Sequence, residues 1–196
     1  MRSFRGTGHQ TQFNFQNPSW RHRYSYGGSL RNKLAGRGQR PLSCREPLHV
    51  VFKINKTFLK HKTLRSAVGF SLIHRIVQRY AKRFFVKVEQ ISIQNDHIHL
   101  LIRTSRRSLF HHFFRVVAGQ IAQQFAKLGI CVTDTAGPSG GLWKHRPFSR
   151  VVRGYRAYKV VRNYIQLNEK EVLGLIRYSK KRLKGLSMAD WRLLWG

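Results

Sequence analysis

The stretch from Phe84 to Arg103 constrains the fold more than any other part of this chain. Phe84 to Ile93 is rich in β-branched and aromatic residues. After the turn-like Asn95-Asp96, His97 to Arg103 alternates without a break, with Ile98, Leu100 and Ile102 on one face and His97, His99 and Leu101 on the other. Leu48 to Ile54 reads as another strand, its apolar Leu48, Val50, Phe52 and Ile54 to one side. A helix is predicted over about residues 63–82, where Leu64, Val68, Leu72, Ile76 and Tyr80 recur every four residues. A second is predicted over about 107–128, with Phe110, Phe113, Phe114, Val117, Ile121, Phe125 and Leu128 on its apolar stripe. Asp134 to Gly141 is a loop by its Gly, Pro and Ser content, Phe148 to Arg153 a short strand, and about Tyr155 to Leu173 a third helix. The order β-α-β-β-α-β-α predicts an α+β fold: a ferredoxin-like (split βαβ) antiparallel sheet with helices on one face.

Charge then bounds the partner. The chain of 196 residues carries 38 Lys plus Arg against 7 Asp plus Glu, a net of +31. A compact state so charged repels itself, which points to a polyanion as partner. A hydrophobic content of 41% excludes a wholly disordered basic protein, since a core can be built from it. Residues 1–45 carry nine basic and no acidic residues, six aromatics and no Val or Ile. They read as a basic, aromatic-containing flexible arm suited to stacking on unpaired bases, or equally as a solvated tail. Residues 46–176 form the core-building domain and 177–196 a basic C-terminal extension, in which Ser187 to Asp190 resembles a capping box ahead of Trp191, Leu194 and Trp195. Cys44 and Cys131 have no metal-binding spacing, and neither a signal peptide nor an apolar run of membrane-spanning length is present. No membrane is expected as partner, and the expected location is cytoplasmic, at the nucleoid.

His97 and His99 are the sharpest chemical feature. Two apart on a strand, they project side by side, and two neutral imidazoles so placed can share one divalent cation. Taken alone, the pair describes solvent-facing or structural strand residues at least as well. The third helix adds weight. Its inward stripe of Ala157, Val160, Val161, Tyr164, Ile165, Asn168 and Val172 contains Tyr164 and Asn168 as i,i+4 neighbours, and a partly buried amide needs a partner that a metal would supply. Tyr155 and Tyr158 lie off that stripe. A core tyrosine at the edge of the stripe is the competing reading of Tyr164. Glu169 and Glu171 read as a solvated helix end, and Asp96 as a turn cap or a carboxylate orienting His97. Lys53, Arg103, Arg106, Arg107, Arg150, Arg153, Arg156 and Lys159 lie near these positions in sequence and read as a phosphate track for DNA.

His-hydrophobic-His on a strand, then Tyr164-Ile165-Gln166-Leu167-Asn168 on a helix, resembles the single-tyrosine HUH transposases, and among them the REP-associated tyrosine transposases. The resemblance covers about residues 46–175 and includes Leu48 to Phe52 and the Trp-containing Leu142 to Phe148. It implies that His97, His99 and Asn168 bind a divalent metal, Mg²⁺ or Mn²⁺, and that Tyr164 is the nucleophile. A free phenol ionises only near pH 10, so a metal-polarised phosphate suits it. It further implies a single-stranded DNA transposase or strand transferase that recognises a DNA hairpin and forms a 5′-phosphotyrosine, working as a monomer or homodimer. Many members follow the Asn with Pro; Glu169-Lys170-Glu171 stands here instead. Two other functions fit the fold and charge: a non-catalytic RNA- or single-stranded-DNA-binding module with a ferredoxin-like sheet, and an HUH nicking enzyme of replication or plasmid transfer.

Overall fold

The computed structural model describes residues 23–32, 39–131 and 141–195. Among these residues five strands form one sheet: β1 (Ser25–Tyr26), β2 (Leu48–Lys53), β3 (Lys87–Ile93), β4 (His97–Arg103) and β5 (Phe148–Val151). Their order is β1-β5-β2-β4-β3, every neighbouring pair antiparallel. Helix α1 (Ala67–Arg83) connects β2 to β3, and α2 (Arg107–Lys127) lies between β4 and β5. Two further helices follow, α3 (Tyr155–Val172) and α4 (Met188–Trp195). The segment from β2 to β5 is the expected split βαβ sheet.

The clean alternation of β4 divides its contacts between two layers. Ile98, Leu100 and Ile102 join the main core with Leu48, Val50 and Phe52 of β2, Ile73 and Val77 of α1, and Phe110, Phe113, Val117, Ile121 and Phe125 of α2. Leu101, on the opposite face, packs with Val152 and with Ile165 of α3. The helices of the βαβ unit share one face as expected, but α3 covers the other. Gly154, at φ 78°, gives the chain the left-handed turn from which α3 starts. The sheet is thus enclosed on both sides where the histidines project.

Several expected faces shift. In α1 the buried residues are Gly69, Ile73, Ile76, Val77 and Ala81, while Val68 is exposed. A strict four-residue repeat drifts about 40° per step around a helix of 3.6 residues per turn, so the predicted stripe starts off the core face at Val68 and drifts onto it, Leu72 and Tyr80 packing against the core and Ile76 being buried in it. Leu128 and Val160 are exposed as well, whereas Tyr158 packs on the Leu101 cluster. Part of the segment read as an arm is sheet edge, because Ser25 pairs with Arg150 and Tyr26 with Ser149. Most of that arm, and residues 134–140 of the Asp134 to Gly141 loop, lie outside the described residues. The capping box is present: Ser187 Oγ accepts from the Asp190 backbone N–H, and Asp190 accepts from the Ser187 N–H at 3.0 Å. It starts α4, whose Leu194 packs on Leu167 and Ile176, while Trp195 stays exposed. Among the described residues no helix is long and apolar enough to cross a membrane.

Candidate active site

Alternation in β4 places His97 and His99 on the face covered by α3, their ring centroids 4.6 Å apart and their planes at 83°. His99 is 5% exposed and meets the ring of Tyr164 edge-on at 5.7 Å. Tyr164 is held there because its neighbour Ile165 is fully buried against Leu101 and Val152. His97 is half-buried, and its Nδ1–H donates to Asp96 Oδ1 at 2.6 Å, which leaves Nε2 free. Burial pushes the Asp96 carboxyl up, but the hydrogen bond and charge of His97, with Lys53 and Lys56, outweigh it and hold the group below its ordinary range. Of the two roles considered for Asp96, orienting His97 is the one its geometry supplies.

The sequence reading passes over His49. Its Nε2 lies 3.0 Å from His99 Nδ1, and the two rings lie edge to edge and nearly coplanar, 16° between planes with centroids 5.3 Å apart. The strand pairing explains this: His49 stands opposite Leu101, so it is the diagonal neighbour of His99 on the same face. Burial, then the charge of Arg150, lowers His49 to about 4. Burial lowers His99 to about 2, with His49, His97 and Arg182 adding to the effect. Both rings are therefore neutral near pH 7.

The last turns of α3 are tied to β3 by side chains. Asn168 is 6% exposed, and its backbone carbonyl accepts from Gln94 Nε2 at 3.0 Å. Glu169 accepts from Ser92 Oγ at 2.9 Å and from Arg65 at 3.0 Å, and Arg65 also donates to the Ile93 carbonyl. Glu171 takes a two-pronged contact from Arg182 at 2.8 and 2.9 Å. Neither carboxylate is the solvated helix end read from the sequence, because Arg65 and Arg182, distant in the chain, neutralise them. Arg182 also donates to Asn168 Oδ1 and lies 5.1 Å from the centroid of the Tyr164 ring. The C-terminal extension thus places a cation inside the cluster formed by His99, Tyr164 and Asn168.

The predicted phosphate track divides among several surfaces. Lys53 stands opposite His97, and Arg150 opposite His49, on the histidine face. Lys53 also lines a 340 Å³ cavity with Lys144, His145 and Arg146. Arg103 is spent on Glu89 at 2.6 Å and on the Arg45 carbonyl. Arg106 occupies the N-cap position of α2 without a side-chain cap hydrogen bond, and Arg107 lines a separate 510 Å³ cavity with Arg40 and Arg146. Arg153 donates to the Tyr24 hydroxyl, while Arg156 and Lys159 are exposed on α3.

The donor set fits a divalent ion. Among the described residues His99 Nε2 is buried without a hydrogen-bond partner; Asn168 Nδ2 is unpaired too, but it is a donor, and the amide atom that could serve an ion is Oδ1, which accepts from Arg182. Among the described residues no three of His, Cys, Asp and Glu gather as a metal site. An ion here would have two imidazoles and one amide from the protein, leaving positions for water or phosphate oxygens.

A family model described as IS200-like transposase matches residues 47–168. The solved structure of a REP-associated tyrosine transposase bound to a REP hairpin is similar at a TM-score of 0.54 and 11% identity, over 72% of this chain and 76% of that one. A Deinococcus radiodurans R1 protein provisionally assigned as a transposase aligns at a TM-score of 0.42 and 15% identity, over 68% of this chain and 98% of that one. No curated protein matches the sequence.

Proposed function

From the premise that the chain belongs to the IS200-like transposase family, we propose that it cuts and rejoins single-stranded DNA at a hairpin through a 5′-phosphotyrosine on Tyr164. The observation that carries this reading is the meeting of Tyr164 with His99, at 5.7 Å between ring centroids, beside a buried imidazole nitrogen that nothing among the described residues satisfies. A divalent ion, Mn²⁺ or Mg²⁺, held by His97, His99 and Asn168 would polarise the scissile phosphate. The Tyr164 oxygen forms a bond to phosphorus, the bond to the 3′-oxygen breaks, and that oxygen leaves as a free hydroxyl. The phosphotyrosine retains the energy of the phosphodiester, so rejoining needs no nucleotide co-substrate. Lys53 and Arg150 flank the histidines and grip the strand through its phosphates. Arg182 must release Asn168 Oδ1 before that oxygen can serve an ion. A hairpin is the proposed partner because the similar transposase structure is bound to one.

His97, His99 and Tyr164 meet within one chain, which supports action of Tyr164 at the histidines of its own chain, in a monomer or a homodimer. A pure binding module has no use for this meeting, which is why the catalytic reading is preferred. The test is cleavage of end-labelled single-stranded hairpins in Mn²⁺. The wild type is expected to nick, and His97→Ala with His99→Ala to abolish nicking while salt-sensitive binding remains. Cleavage that survives the double replacement would refute the metal reading.

A further inference from the structure

We propose that His49 is a positioning residue that fixes the tautomer and ring orientation of His99, so that His99 presents its Nε2 lone pair to the site. The inference rests on the metal reading above and deepens it.

Two imidazole nitrogens at 3.0 Å share one proton, so one ring donates and the other accepts. Two arrangements are possible. If His49 Nε2–H donated to His99 Nδ1, His99 would carry its own proton on Nε2. That atom is buried and has no acceptor among the described residues, so the arrangement would strand a desolvated N–H. If His99 Nδ1–H donates to His49 Nε2, the buried Nε2 is instead a lone pair, which is what a cation requires. A ligating histidine commonly donates its other ring N–H to a carboxylate, a backbone carbonyl or water, and that partner holds tautomer and orientation together. His97 has such a partner in Asp96 at 2.6 Å. His99 has no carboxylate, and His49 occupies the equivalent place.

The surroundings hold His49 to this task. It is 9% exposed, its ring lies within 16° of the plane of His99, and Phe148 meets it edge-on at 6.3 Å. The antiparallel register of β2 with β4 sets the diagonal placement, so the contact is built into the sheet and does not depend on a loop. The two ligands are thus supported differently: His97 by an anion near solvent, His99 by a neutral ring in the interior.

The experiment reads the tautomer directly in metal-free, ¹⁵N-histidine-labelled protein by long-range proton–nitrogen correlation, and separately titrates Mn²⁺ by the spectroscopic signal of the free ion. In wild type, His99 is expected to carry its proton on Nδ1 alone. His49→Phe keeps an aromatic ring at this buried place but offers no acceptor. It should give His99 a mixed tautomer and weaken Mn²⁺ binding by about 10- to 100-fold. His49→Gln, whose amide oxygen can accept the same hydrogen bond, should recover most of that loss. A wild-type His99 protonated on Nε2 overturns the assignment whatever the variants do. Wild-type Mn²⁺ affinity in a folded His49→Phe protein overturns it too. Failure of the wild type to bind Mn²⁺ at all, with His99 protonated on Nδ1, would instead refute the metal reading on which the assignment rests.

Discussion

Acidifying the metal-free protein from pH 7 to pH 5 should destabilise it through the two buried histidines. His49 at about 4 and His99 at about 2 both lie below the ordinary value of 6.5. The unfolded chain therefore binds more protons than the folded one below pH 6.5, and stability falls as pH drops through that window. At pH 5 an unfolded histidine is nearly all protonated while both folded rings remain neutral. At about 1.36 kcal/mol per pH unit, this costs about 2 kcal/mol for each ring and about 4 kcal/mol together. Against a typical total of about 5–15 kcal/mol, such a loss is readily measured. Urea unfolding of the wild type and of His49→Phe at pH 7, 6 and 5, in chelator, isolates one ring. Exposed carboxylates titrate alike in both proteins, so the loss between pH 7 and pH 5 should be about 2 kcal/mol smaller in the variant. Equal losses in the two proteins would refute the claim that His49 is held neutral in the folded state.

Other consequences follow from the same contacts. Arg182→Gln removes a positive charge from the Asn168 and Tyr164 cluster. It should tighten Mn²⁺ binding by about tenfold or more, since a unit charge about 5 Å from a divalent ion is repelled by roughly 2–7 kcal/mol between water-like and protein-surface dielectrics. Arg182→Lys should tighten it much less, and equal behaviour of the two variants would show that charge is not the cause. Binding of a single-stranded hairpin should fall steeply with salt, at about 0.7 of a log unit per log unit of salt for each phosphate neutralised. A flat dependence would exclude the basic face as the main source of grip. Ser187→Ala removes the hydroxyl that caps α4. Hydrogen exchange should accelerate across α4 and leave β4 protected, and exchange unchanged in α4 would mean that its packing on Leu167 alone holds it.

How much of this was legible in the sequence varied with the range of the interaction. His97 and His99 could be paired on one face because a strand repeats every two residues, and Tyr164 with Asn168 because a helix brings i and i+4 together. Both are local rules. That α3 lies over the histidines and not beside α1 was not legible, since it depends on the reversal at Gly154 and on Leu101 needing cover. His49 gave no signal of its own, because a single histidine among Leu48, Val50 and Val51 acquires meaning only when the register with β4 is known. The same holds for Glu169 and Glu171, whose partners Arg65 and Arg182 come from elsewhere in the chain. Arg182 itself was one of many cations in a basic tail, and its position in the site reflects how Leu183 and Leu194 pack the extension onto Leu167. The α1 stripe missed only at Val68, because a four-residue repeat drifts around the helix, while the Phe-rich stripe of α2 followed the true period and was buried as expected from Phe110 to Phe125.

The claim that Tyr164 is the nucleophile is met most directly by trapping the covalent species. Wild-type protein incubated with a single-stranded hairpin and Mn²⁺, denatured, and digested with protease and nuclease should yield one modified peptide by mass spectrometry. That peptide should contain Tyr164 carrying a 5′-linked nucleotide phosphate, and it should be absent from Tyr164→Phe. A nucleotide adduct on Tyr155, Tyr158 or any other residue, or an adduct that persists in Tyr164→Phe, would contradict the account.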